Sequence, residues 1–145
     1  MLKPEYQLEQ QELFKQLETA AEIVPCLYYW LDLDGRLVGL NSMCVKAMQI
    51  PGRESILGKN THEFYSNSKE VADAIREDIE QVLKTGQVSQ CIDRTVDSNG
   101  VVKYFMATRS PLMSKDGTTV IGLVGTSIEI DEFCANNMTY KKFGF

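Results

Sequence analysis

The sequence has few of the residues that build metal or disulfide sites. It contains a single histidine, His62, and its four cysteines form no CxxC pair. A zinc site of the usual spacing is therefore disfavoured, multi-histidine metal centres are excluded, and we expect reduced thiols. No stretch approaches about 18 consecutive apolar residues, and residues 1–11 are polar and charged, so we expect neither a membrane span nor a signal peptide. These absences together indicate a cytoplasmic protein.

The chain also lacks an excess of basic residues. Its 15 Lys and Arg against 20 Asp and Glu give a net charge of −5. This charge disfavours nucleic acid as a main partner, because phosphate binding needs a basic surface. The 145 residues are 43% hydrophobic and 24% charged, which is an ordinary globular composition. A chain of this length can bury a core without disulfide or metal crosslinks, so we expect one folded domain.

The spacing of apolar residues predicts one helix near the start and another in the middle of the chain. In residues 8–24, apolar side chains recur at i, i+3, i+4 and i+7, which indicates an amphipathic helix ended by Pro25. Residues 68–85 carry the same spacing, with a capping box that begins at Asn67 and a stop at Gly86. Shorter helical segments are expected at residues 41–49 and 53–66.

Much of the remaining chain indicates β-strands, because β-prone runs are bounded by turn residues. Five strands are predicted, at residues 26–33, 36–40, 88–96, 101–112 and 118–130. Asp34-Gly35, Asn99-Gly100 and Asp116-Gly117 mark turns between consecutive strands. This order of elements predicts an α+β domain, in which a five-stranded antiparallel sheet carries helices on one face and an N-terminal amphipathic helix is added.

Several short motifs accompany this order of elements. They are Tyr29-Trp30-Leu31-Asp32, Asp34-Gly35-Arg36, Leu57-Gly58-Lys59, Lys84-Thr85-Gly86, Ser110-Pro111-Leu112 and Ile121-Gly122. Their order and spacing resemble those of the PAS sensory domain, of the non-photoreceptor type found in bacterial sensor histidine kinases, over residues 25–131. The resemblance implies a flanking or dimerisation helix in residues 1–24. In residues 132–145 it implies a C-terminal tail or the start of a linker to an output domain.

The resemblance implies a signal-sensing module without catalysis of its own. Such domains bind a small ligand or a partner between the long helix and the inner face of the sheet. They pass a conformational change to an output domain in the same parent chain, such as a histidine kinase or a cyclase. By this resemblance Leu31 and Arg109 face the pocket, and strand alternation gives the other inward residues. The predicted ligand-binding residues are Tyr29, Leu31, Asp93, Phe105, Ala107, Arg109 and Val124, and Leu27, Cys91, Thr95 and Thr126 share their face.

The charged residues near this pocket leave alternatives open. Arg109 could hold the carboxylate or phosphate of a ligand through two hydrogen bonds. It could equally pair with Asp93 or reach solvent at the end of its strand. The acidic residues Glu77, Asp78 and Glu80 form a cluster in the long helix, where a solvated helix face explains them without an active site.

The resemblance also bears on cofactors. His62 could ligate haem iron, as a single histidine does in some PAS domains, but the sequence has no distal-pocket signature and an ordinary hydrogen-bonded histidine is favoured. The light-sensing subfamily carries a run similar to Gly-Arg-Asn-Cys-Arg-Phe-Leu, where this chain has Gly58-Lys59-Asn60-Thr61-His62-Glu63-Phe64. Thr61 stands at the position of the reactive thiol, so flavin adduct chemistry is disfavoured and the identity of any cofactor is unknown.

The opposite face of the sheet carries too much apolar surface to remain exposed. Its predicted residues are Tyr28, Trp30, Val96, Tyr104, Met106 and Leu123. We expect the N-terminal helix to cover this face, either from the same chain or from a second copy. The sequence therefore predicts a homodimer through the N-terminal helix and the outer face of the sheet.

Two other functions stay open. One is a dimerisation adaptor without a ligand, in which Phe105, Met48 and Tyr29 fill the pocket. The other is a small enzyme that does acid/base chemistry with Asp93, His62 or Tyr29. The enzyme is the weaker alternative, because nothing in the sequence places two such groups within hydrogen-bond reach.

Overall fold

The computed structural model describes residues 2–97 and 99–137 of the chain. The strands are β1 (Leu27–Leu31), β2 (Leu37–Leu40), β3 (Ser89–Val96), β4 (Val102–Met113) and β5 (Val120–Ile130). The helices are α1 (Pro4–Ala20), α2 (Ser42–Ala47), α3 (Thr61–Phe64), α4 (Lys69–Thr85) and α5 (Glu132–Asn137), with 3-10 turns at Ala21–Ile23 and Arg53–Ser55. All five strands form one antiparallel sheet in the order β2-β1-β5-β4-β3. The predicted α+β architecture is confirmed.

Helix α4 follows its sequence signals closely. Its N-cap is Ser68, whose hydroxyl accepts a hydrogen bond from the Val71 amide. The helix ends at Gly86, which has a φ of 69°; glycine adopts this left-handed conformation without strain because it has no Cβ. The predicted cap at Asn67 is one residue early, because the Asn67 side-chain amide donates to the Asp97 carbonyl instead. The buried stripe of α4 is Val71, Ile75, Ile79 and Val82, which packs with Leu31 and Leu123 of the sheet.

Two asparagines start the short helices that were expected between β2 and α4. Asn41 caps α2 by accepting from the Cys44 amide at 3.3 Å, and its own amide donates to the Cys26 carbonyl at 2.8 Å. Asn60 and Glu63 form a reciprocal capping box on α3. Helices α2, α3 and α4 pack over the same face of the sheet, which we call the inner face.

Helix α1 lies on the opposite face of the sheet, the outer face. It begins at Pro4 rather than at the predicted residue 8, because proline suits the first turn of a helix. The side-chain amide of Gln10 donates to the Ile121 carbonyl at 2.7 Å. The Phe14 ring lies 3.3 Å from the position that a Cβ would take at Gly122. The helix that covers this part of the outer face therefore comes from the same chain.

The segment after β5 begins with a short helix that periodicity did not indicate. Helix α5 follows Asp131, whose carboxylate accepts from the Cys134 amide at 2.6 Å and so caps its first turn. The rest of the predicted tail, residues 138–145, lies outside the described residues. Among the helices that the structure describes, none is both long and apolar enough to cross a bilayer.

Candidate functional site

A cavity of about 130 Å³ lies between the inner face of the sheet and helices α2, α3 and α4. We call it the inner cavity. An engineered apolar cavity of about 150 Å³ in another protein holds a benzene molecule, so the inner cavity has room for one small ring. Its apolar walls include Leu27, Leu37, Leu40, Met48, Ile56, Phe64, Ile75 and Ile79, and its polar wall includes Asp93, Thr95, Arg109 and Ser127.

The structure places most of the predicted ligand-binding residues around the inner cavity. The five that line it are Tyr29, Leu31, Asp93, Phe105 and Arg109. Ala107 lies on the same face of the sheet, between Cys91 on β3 and Ser127 on β5, but does not line the cavity. The inward orientation of these residues follows from the structure, whereas their role in binding a ligand stays a prediction.

The predicted inward orientation of Val124 is wrong. In the antiparallel register Val124 stands beside Trp30 of β1 and Ser110 of β4, on the outer face, and Thr126 stands beside Tyr28 in the same way. The inner-face positions of β5 are Leu123, Gly125 and Ser127. Shifting the alternation of a strand by one residue exchanges its two faces, and the sequence alone does not fix how β5 aligns with its neighbours.

Two residues that were expected on the outer face belong to the core beneath α4. Leu123 is fully buried in the cluster that the α4 stripe forms with the sheet, and Val96 at the end of β3 packs against that cluster. For Leu123 the cause is the same alternation error as for Val124. The apolar surface of the outer face is therefore smaller than the sequence indicated.

Part of the polar wall of the inner cavity belongs to an ionic cluster, which we call the Arg109 cluster and define as Arg109, Asp78, Asp93, Cys91 and Tyr29. Arg109, Asp93 and Tyr29 line the cavity, whereas Asp78 and Cys91 do not. Nη1 of Arg109 lies 2.8 Å from Oδ2 of Asp78 on α4, and Nη2 contacts the carboxylate of Asp93 on β3. Nε donates to the Tyr29 hydroxyl at 3.1 Å, and Nη1 also reaches Sγ of Cys91 at 3.4 Å. Of the alternatives left open for Arg109, the structure shows pairing with carboxylates.

Burial and charge shift the pKa values within the Arg109 cluster. Burial raises the pKa of Tyr29 to about 12, although Arg109 acts in the opposite direction. Burial, followed by the negative charge of Asp93, raises the pKa of the Cys91 thiol to about 12. Burial by itself lowers the pKa of Arg109, but Tyr29 and Asp93 raise it by more, so it stays above its ordinary value. At neutral pH the phenol and the thiol keep their protons and the guanidinium is charged.

Asp78 is the member of the cluster that sequence reasoning missed, because a solvated helix face was expected there. The residue is only 2% exposed, and its Oδ1 accepts a hydrogen bond from the Ser89 hydroxyl at 2.7 Å. A signal for this burial is present in the sequence. Asp78 stands three residues after Ile75 and four before Val82, which places it on the buried stripe of α4. A carboxylate on a buried stripe predicts a buried partner.

His62 lies outside the inner cavity. Its Nε2 is 2.7 Å from Oδ1 of Asp73 on α4, and its side chain is 39% exposed, so it is not placed to ligate a group held inside. Thr61, one residue earlier, does line the cavity. Threonine has no thiol, so the residue at the position of the photoreceptor cysteine does not fit a cysteinyl-flavin adduct.

Comparison with known families settles the classification of this fold. A family model described as the PAS fold matches residues 21–134. The chain belongs to the PAS family. A diguanylate cyclase of Vibrio cholerae is 28% identical to this PAS protein over 99 residues, which make up 68% of this chain and 30% of the cyclase. The chain therefore spans less than a third of the length of that relative.

Solved structures share the same fold. The LOV protein of Rhodobacter sphaeroides superposes with a TM-score of 0.70 at 20% identity, over 84% of this chain and 69% of that one. VqmA bound to DPO superposes with a TM-score of 0.64 at 22% identity, over 85% of this chain and 57% of that one. At such identities the likeness supports the PAS fold alone, since one fold hosts many functions.

Proposed function

We propose that this PAS domain senses a small ligand in the inner cavity and relays its binding to an output domain of the same parent chain, such as a histidine kinase or a cyclase. The observation that carries the proposal is the inner cavity. Phe105, Met48 and Tyr29 all line it, yet about 130 Å³ stays unfilled, whereas a pure adaptor favours a close-packed core. The likeness to a diguanylate cyclase and the DPO-bound state of VqmA support a sensory role.

The cavity is lined by residues of both the sheet and the long helix, which supports the proposal that ligand binding is relayed to an output domain. Tyr29 comes from β1, Arg109 from β4 and Ile75 from α4, so an occupant contacts both the sheet and the long helix. A ligand that binds one packing of α4 on the sheet more tightly than another shifts the balance between the two packings. The elements that flank the sheet then change their positions, which is the signal passed to the output domain.

We infer that the domain has no catalysis of its own and that it is not a photoreceptor of the cysteinyl-flavin type. Asp93 and Tyr29 are both hydrogen-bonded to Arg109, and His62 is hydrogen-bonded to Asp73 outside the cavity. These contacts leave the small-enzyme alternative without a free general base among Asp93, His62 and Tyr29, because Asp93 is paired with Arg109 and the Tyr29 phenol keeps its proton. Thr61 stands at the position of the photoreceptor cysteine and has no thiol, which supports the inference that the domain is not a photoreceptor of the cysteinyl-flavin type.

Native mass spectrometry of the full chain purified from cells tests the proposal. We expect a retained small molecule on the wild-type protein. Thr61→Phe, which adds a ring to the cavity wall, should abolish this retention, and Thr19→Phe on the exposed side of α1 should preserve it. Retention of the same molecule by Thr61→Phe at the wild-type ratio would contradict binding in the inner cavity.

We further propose that two copies pair through the outer face and α1. Ile92, Met106 and Ile128 stand side by side on β3, β4 and β5, and Ile128 is 53% exposed. An apolar row of this kind on a sheet favours association. In sedimentation experiments Ile128→Glu should yield monomers, and Leu57→Glu, on the other side of the sheet, should not. A wild-type monomer, together with full ligand response after deletion of residues 1–24, would contradict this interface.

A further inference from the structure

We infer that the inner cavity takes neutral, ring-sized and mainly apolar ligands that carry one hydrogen-bond acceptor, and that it rejects carboxylates and phosphates. The inference rests on the proposed function, because it names the class of ligand for the same site. Three features of the cavity carry it: the state of its arginine, the free protons of two tyrosines, and the chemistry of its remaining walls.

The capacity of Arg109 to bind an anion is already used within the protein. All three guanidinium nitrogens donate hydrogen bonds, to Asp78, Asp93 and the Tyr29 hydroxyl. One guanidinium with two carboxylates gives the Arg109 cluster a formal charge of −1, and Asp93 carries one of these negative charges at the cavity surface. An anionic ligand would give up its hydration to meet a wall of its own sign. Among the described lining residues the other cation is Lys59, which is exposed, so that water screens its charge.

Two phenol protons remain available to a ligand. The Tyr29 oxygen accepts from Arg109, so its own proton can be donated elsewhere. Tyr65 also lines the cavity, and no residue in the described part of the chain forms a hydrogen bond with its hydroxyl. Burial, followed by the negative charge of Asp93, raises the pKa of Tyr65, so this group keeps its proton at neutral pH. A carbonyl oxygen or a ring nitrogen is the partner that such donors fit.

The remaining walls suit a flat ring. Phe64 and Tyr65 stand edge to face with their ring centroids 4.7 Å apart, and Phe105 adds a further aromatic wall. Aliphatic side chains make up most of the rest, and the uncharged polar lining residues are Asn60, Thr61, Thr95 and Ser127. With room for about one ring, the cavity offers mainly apolar surroundings, with Arg109 and Asp93 on its sheet side. A ligand with one acceptor can satisfy such a site without burying further polar atoms that lack partners.

Three probes of similar size separate these features: acetophenone has an acceptor, ethylbenzene has none, and benzoate has a charge. Each is titrated into the full chain and followed by ligand-observed NMR. We expect acetophenone to bind roughly 3- to 10-fold more tightly than ethylbenzene, the value of one hydrogen bond. We expect benzoate to bind at least about tenfold more weakly than acetophenone. Loss of binding in Thr61→Phe places the bound probe in the inner cavity.

Tyr65→Phe is the decisive variant, and Tyr28→Phe on the outer face is its matched control. The acceptor should bind Tyr65, whose hydroxyl has no partner among the described residues, rather than Tyr29, whose hydroxyl is held by Arg109. We therefore expect Tyr65→Phe to lower acetophenone affinity to that of ethylbenzene while ethylbenzene binding, which also reports folding, is unchanged. Benzoate binding as tight as acetophenone, or an acetophenone affinity that Tyr65→Phe leaves unchanged, overturns the inference while the proposed sensory function stands. If none of the three probes binds the wild-type chain, the inference falls, whereas ligand sensing stands or falls with the molecule retained in native mass spectrometry.

Discussion

Replacing Arg109 with methionine should remove much of the stability of this PAS domain. The substitution keeps most of the apolar volume of the side chain but leaves the carboxylates of Asp78 and Asp93 buried without their cation. Removing one partner from a buried ion pair costs about 3–5 kcal/mol. The free energy of unfolding of a whole domain is about 5–15 kcal/mol, so the loss is a large fraction of the total.

Urea denaturation, followed by the fluorescence of Trp30, measures this loss. With an m-value of about 2 kcal/mol per M, the midpoint should fall by roughly 1.5–2.5 M. Arg36→Met is the matched control, because it breaks an exposed ion pair instead of a buried one. Nη1 of Arg36 lies 2.9 Å from Oε1 of Glu63, and the two side chains are 47% and 50% exposed. Exposed pairs of this kind contribute about 1 kcal/mol or less, so the control should barely shift the midpoint.

A triple variant separates the effect of charge from the effect of packing. Combining Arg109→Met with Asp78→Asn and Asp93→Asn removes every formal charge of the Arg109 cluster. We expect it to recover part of the lost stability, because a buried neutral amide costs much less than a buried carboxylate without its cation. The reasoning is refuted if Arg109→Met is as stable as the Arg36→Met control, or if the triple variant is no more stable than Arg109→Met.

Two substitutions and one labelling experiment test the packing further. Gly39→Ala would place a Cβ 2.1 Å from the Trp30 ring, so we expect a loss of about 1–3 kcal/mol in urea unfolding, and unchanged stability would contradict that contact. Tyr6→Phe removes a 2.7 Å hydrogen bond to Asp116, so amide exchange in the first turn of α1 should accelerate while exchange in the sheet stays constant. Cys91 is half-buried, and desolvation followed by the charge of Asp93 raises its pKa to about 12. It should therefore be alkylated at pH 8 much more slowly in the folded chain than in the unfolded chain, and equal rates would contradict this.

The elements of this fold could be predicted because their signals are local. The α4 stripe and the Gly86 stop involve residues within one or two helical turns, and the predicted span 68–85 differs from Lys69–Thr85 by one residue. The turn at Asp34-Gly35 is equally local, since Gly35 takes a φ of 73°. Strand alternation showed that Tyr29 shares a face with Leu31 and that Phe105 shares one with Arg109, and the resemblance to PAS domains indicated that these faces point inward.

The site could be predicted only in part, because its polar contacts join distant segments. Asp78 and Arg109 are 31 positions apart, and no local pattern shows that a carboxylate on α4 meets a guanidinium on β4. The face of the sheet on which Val124 lies depends on how β5 aligns with β1 and β4, and that alignment is determined by the whole sheet. The volume left inside depends on how side chains from several elements pack, and composition does not contain that quantity.

The pairing of β1 with β5 has a consequence for how the domain can be combined with others. Leu27, where the chain enters the sheet, lies opposite Ser127, close to where it leaves. Paired strands are about 5 Å apart, so the incoming and outgoing backbones are nearest neighbours. Such a unit can be spliced into a longer polypeptide, or deleted from it, with little separation of the segments it interrupts. The strand order therefore brings the two connections of this domain to the same edge-to-edge pair of strands.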